Sequence, residues 1–513
     1  MEDRIKNLFR SRFQEAQQER NVILAWYLKA RAHFLPREIN LNGVDSTGLA
    51  YATKLANKLS AMILNSNHIW AWIETPRFED ISRDDKIIFR HITEIVFDEI
   101  QENSNFETEK AVILMDYLIG TAVFKVRFTG KIANPVEFQP VPNINVYLTK
   151  RRGKQPGDTF YNAGKVRKHQ ILNLFGENAY NSEKVQRMSQ DDEIELWEGT
   201  IYDQETKMFH YVVSTSNEFA DVLDYRIDTY NPWIVARYES IGDSPYGIGP
   251  CVKAIMEIEG LKEVKANIRR IAKKQARPSY LGYGEAKYIQ NSRIDEPGAI
   301  SMMGMSPNQN QIIPFNRGEN ANMEFFNLDM YKELLRDIFY INIFETAQNL
   351  DQLKNVTATT TQLVTTEFAK QIEPTYALMQ RELLREIVIK VFQCLQKISI
   401  IDISKIKALQ ENPRLKIRFY NALTIAQDQD DLERNMLYFQ NIASTLGPEV
   451  AAANMNQAEY INAQQKRFRI NNKEWKSGEE TEKQVEEMNV MIAAQQQGGM
   501  IGQWQKREKS TKS

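Results

Sequence analysis

Two glycine-rich segments have the spacing of a phosphate-binding loop, in which two glycines flank four residues and a lysine follows. They are GVDSTGLA at 43–50 and GDSPYGIG at 242–249. Neither segment has the lysine that would contact the terminal phosphates, nor the following serine or threonine. A third segment, GYGEAK at 282–287, lacks the last glycine of a dinucleotide-binding turn. The sequence therefore does not predict a nucleotide site in these segments.

Side chains that act as metal ligands or nucleophiles are scattered along the chain. No histidine belongs to an HExxH motif, no serine to a GxSxG motif, and Cys251 and Cys394 are far apart. The acidic pairs at 84–85, 191–192 and 430–431 lie in polar segments and are interpreted as exposed. Carboxylates distant in sequence can still meet in a fold, so a metal-dependent nuclease or ATPase stays open as an alternative.

The composition is that of an ordinary folded protein. The 513 residues include 65 Lys and Arg and 67 Asp and Glu, which gives a net charge of −2. Two cysteines exclude a disulfide scaffold and a thiolate-rich metal site. No apolar run reaches the roughly 18 residues that span a bilayer. Near-neutral charge argues against a protein that coats nucleic acid through bulk positive charge.

The first half of the chain reads as helices followed by an α+β region. Apolar residues at three- and four-residue steps predict helices at 1–35 and 47–62, and two more follow before residue 120. Alternation of apolar and polar residues predicts strands at 121–128 and in several pieces of 193–240.

A turn rich in proline and glycine, SPYGIGP at 244–250, precedes a long predicted helix that ends before Pro278. One face of this helix is apolar at a mean spacing near 3.4 residues, so it must be buried. The other face is basic and is the best candidate for a phosphate partner, although a solvated helix face with compensating glutamates is the simpler interpretation.

The second half contains three further features. Residues 278–322 are rich in Gly, Pro, Asn and Met, with two short strand-like pieces. Helices are predicted at 326–346 and 357–397, and Pro374 should kink the second one. After a strand-like piece, LKIRFYNAL, and helical segments, the last forty residues read as solvated helix or disorder.

Three segments resemble the portal proteins, or head-to-tail connectors, of short-tailed bacteriophages. In that family a Tyr-Gly-x-Gly/Ser-Pro turn opens a long helix that ends in a basic stretch before a proline. The residues that match this turn are Tyr246, Gly247, Gly249 and Pro250. Residues 46–74 are similar to the family's Leu/Ala-rich helix and Trp-containing strand. Residues 355–388 are similar to its Val-Thr-Ala helix, but Thr359 and Thr360 stand where the family usually has acidic residues.

The resemblance implies a mainly α portal fold with an α+β wing. It divides the chain into a wing (1–245), first stem helix (246–277), clip (278–325), second stem helix (326–346), tunnel loop (347–357), kinked helix with the rest of the wing (358–440) and helical crown or C-terminal tail (441–513). The basic residues expected to face DNA in the channel are Lys262, Lys265, Arg269, Lys273 and, in the tunnel loop, Lys354.

The function implied is that of a ring, usually of twelve subunits, at one capsid vertex. Such a ring conducts double-stranded DNA during packaging and ejection, and has no catalysis, cofactor or metal of its own. The implied partners are the terminase large subunit, a tail adaptor or head-completion protein, and the major capsid and scaffolding proteins, with no membrane. The expected location is the virion, with the host cytoplasm during assembly. A tail tube or minor capsid protein is the alternative within phage structural proteins.

Overall fold

The computed structural model describes residues 2–35, 46–66, 68–76, 83–130, 134–151, 157–283, 300–303, 311–314, 321–343, 358–402, 414–420, 437–445, 447 and 460. The chain divides into two compact units, Met1–Asn421 and Ala422–Ser513. The described part of the second unit is mainly a helix at 437–445. The predicted tunnel loop at 347–357, with Lys354, and most of the predicted crown lie outside the described residues.

Helices make up most of the first unit. They are α1 (Asp3–Phe34), α2 (Thr47–Ile63), α3 (Arg83–Asp98), α4 (Phe106–Ile119), α5 (Lys168–Phe175), α6 (Glu177–Tyr180), α7 (Glu183–Gln186), α8 (Pro250–Lys253), α9 (Ile255–Ala276), α10 (Ala321–Ile338), α11 (Ala358–Met379) and α12 (Arg385–Lys397). A π-helical turn, Glu99–Asn103, continues α3, and a second, Gln380–Leu384, joins α11 to α12. Within the described ranges, no helix is both long and apolar enough to cross a membrane.

The strands are short and mostly antiparallel. They are β1 (Ala71–Glu74), β2 (Thr121–Phe128), β3 (Val136–Val141), β4 (Val146–Leu148), β5 (Thr159–Arg167), β6 (Glu193–Asp203), β7 (Met208–Ser214), β8 (Val222–Asp228), β9 (Trp233–Arg237), β10 (Tyr280–Tyr283), β11 (Ile300–Met303), β12 (Gln311–Pro314) and β13 (Lys416–Phe419). They form sheets in the orders β3-β2-β9, β4-β5-β6-β7-β8, β11-β10-β12 and β1-β13. In the third sheet β10 pairs in parallel with β11 and antiparallel with β12.

The five-stranded sheet is covered by helices on both faces. Successive residues of a strand point to opposite faces. Accordingly Trp197 packs against α1 through the Phe13 ring, with centroids 5.3 Å apart, whereas Leu196 packs toward Ile171 and the short helices α5–α7. The regularly spaced apolar residues that predict the first helix thus form the face of α1 that lies on this sheet.

One predicted helix start is wrong, and two of the predicted helices are interrupted. The helix expected at 326–346 begins earlier, at Ala321, because the apolar spacing extends upstream into the segment assigned to the clip. Its first part ends at Ile338, before Tyr340, whose φ of +57° is incompatible with a continuing right-handed helix, and helical backbone resumes at 341–343. The predicted turn at 246–249 is present, and the helix that follows it is interrupted at Ala254.

The long helix predicted at 357–397 is present, with an irregularity that the sequence did not indicate. Pro374 lies inside α11, and the π-helical turn Gln380–Leu384 follows. Proline and π-helical turns are both recognised causes of bends, so the expected kink has a second structural source, while its angle stays a prediction.

Candidate functional site

Residues 246–250, called the stem turn below, lie where several parts of the first unit meet. The Tyr246 hydroxyl donates a hydrogen bond to the carbonyl of Val146 (3.0 Å) and accepts one from the amide of Leu148 (3.1 Å). Burial raises the pKa of Tyr246 well above its usual value, so the hydroxyl keeps the proton that it donates. Its ring contacts Tyr27 edge to face, with centroids 6.1 Å apart. Tyr246 therefore joins the stem turn to β4 and α1.

Gly247 joins α1 to the start of β2 through a closed set of hydrogen bonds. Its amide donates to the Thr121 hydroxyl oxygen (2.9 Å), and its carbonyl accepts from the Tyr27 hydroxyl (2.7 Å). The Thr121 and Tyr27 oxygens are themselves 2.8 Å apart. Because Tyr27 donates to Gly247, the Thr121 hydroxyl must donate to Tyr27. All the polar groups of this buried network are therefore paired.

The glycines of the stem turn permit backbone to pack directly on backbone. A Cβ atom on Gly247 would lie 2.5 Å from the carbonyl oxygen of Gly120, and one on Gly249 would lie 2.0 Å from that of Leu118. The Gly249 amide donates to the carbonyl of Ile119 at 3.0 Å. No side chain fits at these distances, so the Gly-x-Gly spacing has a packing reason.

Pro250 begins α8, where its missing amide proton removes no helical hydrogen bond. The chain then passes through Ala254 into α9. The start of α9 is therefore fixed to the rest of the unit through the stem turn.

Helices α9 and α10 form an antiparallel pair, called the stem hairpin below. The Tyr331 ring lies against the backbone of Gly260, where a Cβ atom would be 2.5 Å from it. The Asn267 amide lies 3.5 Å from the carboxylate of Glu324. Residue numbers rise along α9 while those of their partners fall along α10, so the two helices run in opposite directions.

The basic residues predicted on α9 share one stripe, which consists of Lys262, Lys265, Arg269 and Lys273. At about 100° per residue, this stripe lies on the opposite side of α9 from Gly260 and Asn267, the two positions that face α10. The stripe therefore points away from the partner helix of the hairpin.

The structure divides this basic stripe into two halves. The Lys262 ammonium lies 2.7 Å from His33 Nδ1 at the end of α1, and the Lys265 ammonium donates to the Thr47 hydroxyl at 2.9 Å at the start of α2. Both lysines are half-buried, whereas Arg269 and Lys273 are exposed. The sequence could not indicate this division, because the partners of the first two cations are more than 200 residues away.

The position of Lys262 sets the protonation of His33. The ammonium can only donate, so Nδ1 accepts, and Nε2 carries the proton toward the Glu259 carboxylate at 3.3 Å. Burial, and secondarily the charge of Lys262, lower the pKa of His33, while Glu259 partly opposes them. The histidine is therefore neutral at pH 7 and links α1 to α9.

A buried ion cluster that sequence reasoning missed joins the π-helical turn to the sheet. Arg237 at the end of β9 donates from Nε (3.2 Å) and Nη2 (2.8 Å) to the Glu382 carboxylate, which also accepts the Arg237 backbone amide (3.0 Å). Arg151 contacts the same carboxylate at 3.3 Å. Arg237 also donates to the carbonyl of Ser244, just before the stem turn. One arginine thus couples the long helix to the stem turn.

In the part of the chain that the structure describes, no group of three or more His, Cys, Asp or Glu side chains could hold a metal ion.

Comparison of the chain with models of protein families is informative. A model of the bacteriophage head to tail connecting protein family matches residues 6–471. The chain belongs to this family. As a head-to-tail connector it is a structural phage protein, a component of the virion and part of a capsid-associated oligomer, and the predicted resemblance to head-to-tail connectors is confirmed.

Two other comparisons add little about the connector. No curated protein sequence matches it significantly. Among solved structures, it is similar to a chain from the virion of a native gene transfer agent (GTA) particle, with 10% identity and a TM-score of 0.36. The match covers 86% of the connector and 97% of the other chain.

Proposed function

We propose that this connector is the portal protein of a short-tailed bacteriophage. Twelve copies would form a ring at one capsid vertex, conduct double-stranded DNA during packaging and ejection, and perform no catalysis. The ring would bind the terminase large subunit first and a tail adaptor afterwards. Assembly in the host cytoplasm would involve the major capsid and scaffolding proteins.

The observation that carries this proposal is the stem hairpin with its exposed cations. The stem turn fixes the start of α9, and Arg269 and Lys273 project from the side of α9 that faces away from α10. Repeated by ring symmetry, these two cations would line a channel with modest positive charge. Because each neutralised phosphate strengthens salt-dependent binding, a few cations suit a duplex that must slide better than a strongly basic wall would. Phosphate contacts of this kind carry no sequence information.

The remaining parts of this proposal are assigned as the resemblance to portal proteins implies. Residues 1–245, with 358–440, form the wing. The segment between α9 and α10, which includes β10–β12, forms the clip that docks the motor and the adaptor. The tunnel loop at 347–357 forms the constriction around DNA, and 441–513 form the crown. Lys262 and Lys265 help to hold α9 against α1 and α2, and their contribution to the channel is smaller than that of Arg269 and Lys273.

The first test is the mass and shape of the purified full-length chain, measured by native mass spectrometry and electron microscopy. A ring of twelve would have a mass of about 715 kDa, twelve times 59.6 kDa. Class averages should show a central hole wide enough for a DNA duplex. A chain that stays monomeric or dimeric at all concentrations, also with scaffold and capsid proteins present, would refute the proposal.

The second test changes the exposed cations. The double variant Arg269→Glu and Lys273→Glu should form normal rings but package less DNA, because acidic side chains in the channel repel phosphates. Lys165→Glu is the matched control, since Lys165 is an exposed cation on β5, in a different part of the unit. Equal packaging by the double variant and the control would show that α9 does not line the DNA path.

Two further changes address parts that lie mostly outside the described residues. Lys354→Glu should alter packaging or DNA retention without affecting ring assembly. Deletion of 285–320 should leave rings but abolish binding of the motor and the adaptor. Loss of the ring in the deletion variant would instead show that the clip drives ring assembly.

A further inference from the structure

Strand β13 has one backbone edge that no other described strand covers. It pairs with β1 in antiparallel register, with Trp72 opposite Arg418 and Ile73 opposite Ile417. Within the described ranges, this sheet consists of β1 and β13 alone. An edge strand presents a row of backbone N–H and C=O groups with which a further strand can pair. The edge of β13 that faces away from β1 is called the open edge below.

The hydrogen bonds identify the groups on the open edge. The Tyr420 amide donates to the carbonyl of Trp70 at 2.8 Å, so Tyr420 directs its backbone groups toward β1. Successive residues of an antiparallel strand direct these groups to alternate sides. Ile417 and Phe419 therefore direct their N–H and C=O groups to the open edge, and both residues are only half-buried.

The opposite edge of the same sheet is closed by a side chain. The Ile73 amide, which faces away from β13, donates to the Thr93 hydroxyl of α3 at 3.2 Å. That hydroxyl in turn donates to the carbonyl of Phe89 at 2.8 Å, and all three residues are buried. Among the described residues, Ile417 and Phe419 have no such partner. The open edge is thus the free side of an otherwise satisfied sheet.

The side chains around the open edge are cationic. Lys416 and Arg418 are exposed and, as alternate residues of β13, lie on the same face of the sheet. Arg90 of α3 is exposed as well, and its guanidinium lies 6.0 Å from the ring of Trp72, the residue opposite Arg418. In the part of the chain that the structure describes, no carboxylate forms an ion pair with these cations. The surface therefore has positive charge that the chain does not neutralise locally.

An extended acidic peptide matches both features of this surface. Its backbone can pair with Ile417 and Phe419, as in the recognition of peptides by strand addition. Acidic residues at alternate positions of the peptide lie on one face, as Lys416 and Arg418 do, and opposite charges on neighbouring strands attract. A nucleic-acid strand would match the cations and the Trp72 ring but would leave the backbone groups of the open edge unpaired.

We infer that the open edge of β13 binds an extended segment of another protein with acidic residues at alternate positions. The segment adds a third, antiparallel strand to the sheet and places its carboxylates beside Lys416 and Arg418. The same cations keep two copies of β13 from pairing with each other, since like charges would then meet. The inference goes beyond the proposed function, because it requires neither a ring nor a DNA channel.

A synthetic peptide tests this contact. The probe is a fluorescein-labelled peptide of about seven residues in which valine and glutamate alternate, and its anisotropy is measured during titration with the full-length connector. The peptide should bind, and Arg418→Glu should raise its Kd about tenfold. Lys165→Glu, on β5 and also exposed, is the matched control and should leave the Kd unchanged. Equal weakening by both variants would show attraction to the overall charge only and would overturn the inference.

Methylated peptides separate strand addition from charge attraction, and they use the unmodified connector. In an antiparallel third strand, glutamates beside Lys416 and Arg418 direct their amides away from β13, whereas the valines direct theirs toward it. Methylation of the valine amides should therefore abolish binding, and methylation of the glutamate amides should preserve it. The two peptides have the same charge, so equal binding by both would refute the addition of a strand.

Other occupants of the open edge would give different results. If labelled oligothymidine binds, is weakened by Arg418→Glu and the peptide does not bind, the surface recognises nucleic acid and the inference fails. If the peptide binds the dissociated chain but not assembled rings, a neighbouring copy covers the open edge and the inference also fails. If the peptide binds as expected and no rings form under any condition, the inference stands and the proposed function fails.

Discussion

Replacing Gly249 by alanine is the most direct test of why the stem turn has its glycines. The new Cβ atom would lie 2.0 Å from the carbonyl oxygen of Leu118. Non-bonded carbon and oxygen atoms do not approach closer than about 3 Å, so the two backbones must separate by at least about 1 Å. This movement would break the 3.0 Å hydrogen bond from the Gly249 amide to the carbonyl of Ile119. Loss of that bond and overpacking together should cost about 3 kcal/mol.

The measurement is urea unfolding followed by tryptophan fluorescence, with thermal unfolding as a second probe. Gly242→Ala is the matched control in the same loop. Gly242 has a φ of +49°, and no atom lies within 4 Å of its Cβ position, so alanine there meets only the left-handed backbone cost of about 1 kcal/mol. A Gly249→Ala variant that unfolds at the same urea concentration as Gly242→Ala would refute the close-packing explanation.

Other predictions concern buried ionisable groups. Because the pKa of His33 is lowered in the folded chain, the histidine of the unfolded chain is protonated at a higher pH than that of the folded chain. The free energy of unfolding should therefore fall as the pH drops through about 6.5. The variant His33→Gln should show a smaller fall in urea titrations at several pH values. Arg237→Met should cost about 3–5 kcal/mol in the same unfolding assay, because Glu382 is left buried and poorly compensated, and adding Glu382→Gln should recover part of the loss. The hydrogen bond from Arg4 lowers the pKa of Asp203 in the folded chain. The free energy of unfolding that this carboxylate contributes above about pH 4 should therefore be lost in more acid solution. The variant Asp203→Asn should lose less stability between about pH 5 and 3. An unchanged acid-range decline in that variant would show that other carboxylates dominate.

Local patterns in the sequence predicted most of the individual elements. The apolar spacing of α1 and the alternation along β2 are strong signals because one face of each element packs against the core. The turn at 246–250 was also recognisable, since its glycines and proline stand at fixed positions. These features depend on neighbours in sequence, which periodicity can detect.

Contacts between distant residues could not be predicted in this way. Nothing in the sequence near Lys262 indicates that its ammonium donates a hydrogen bond to His33. Nothing near Glu382 indicates that its carboxylate pairs with Arg237. The residue types of the π-helical turn that positions Glu382 do not distinguish it from an α-helix. The early start of α10 was missed because the Gly/Asn/Met-rich character of the preceding segment masked the periodicity that begins with Met323. A single sequence carries the pattern of each helix but not the identity of its tertiary partners.

The partners of α1 have a consequence for the biosynthesis of the chain. Arg4 pairs with Asp203, Tyr27 with Gly247 and His33 with Lys262, so the first helix contacts residues made about 200 or more positions later. At a translation rate of about 5–20 residues per second, α1 leaves the ribosome roughly 10–40 s before these partners. During that interval Phe9 and Phe13 have no sheet to cover them. The nascent connector should therefore bind ribosome-associated chaperones through its N-terminal helix until the residues around the stem turn have been synthesised.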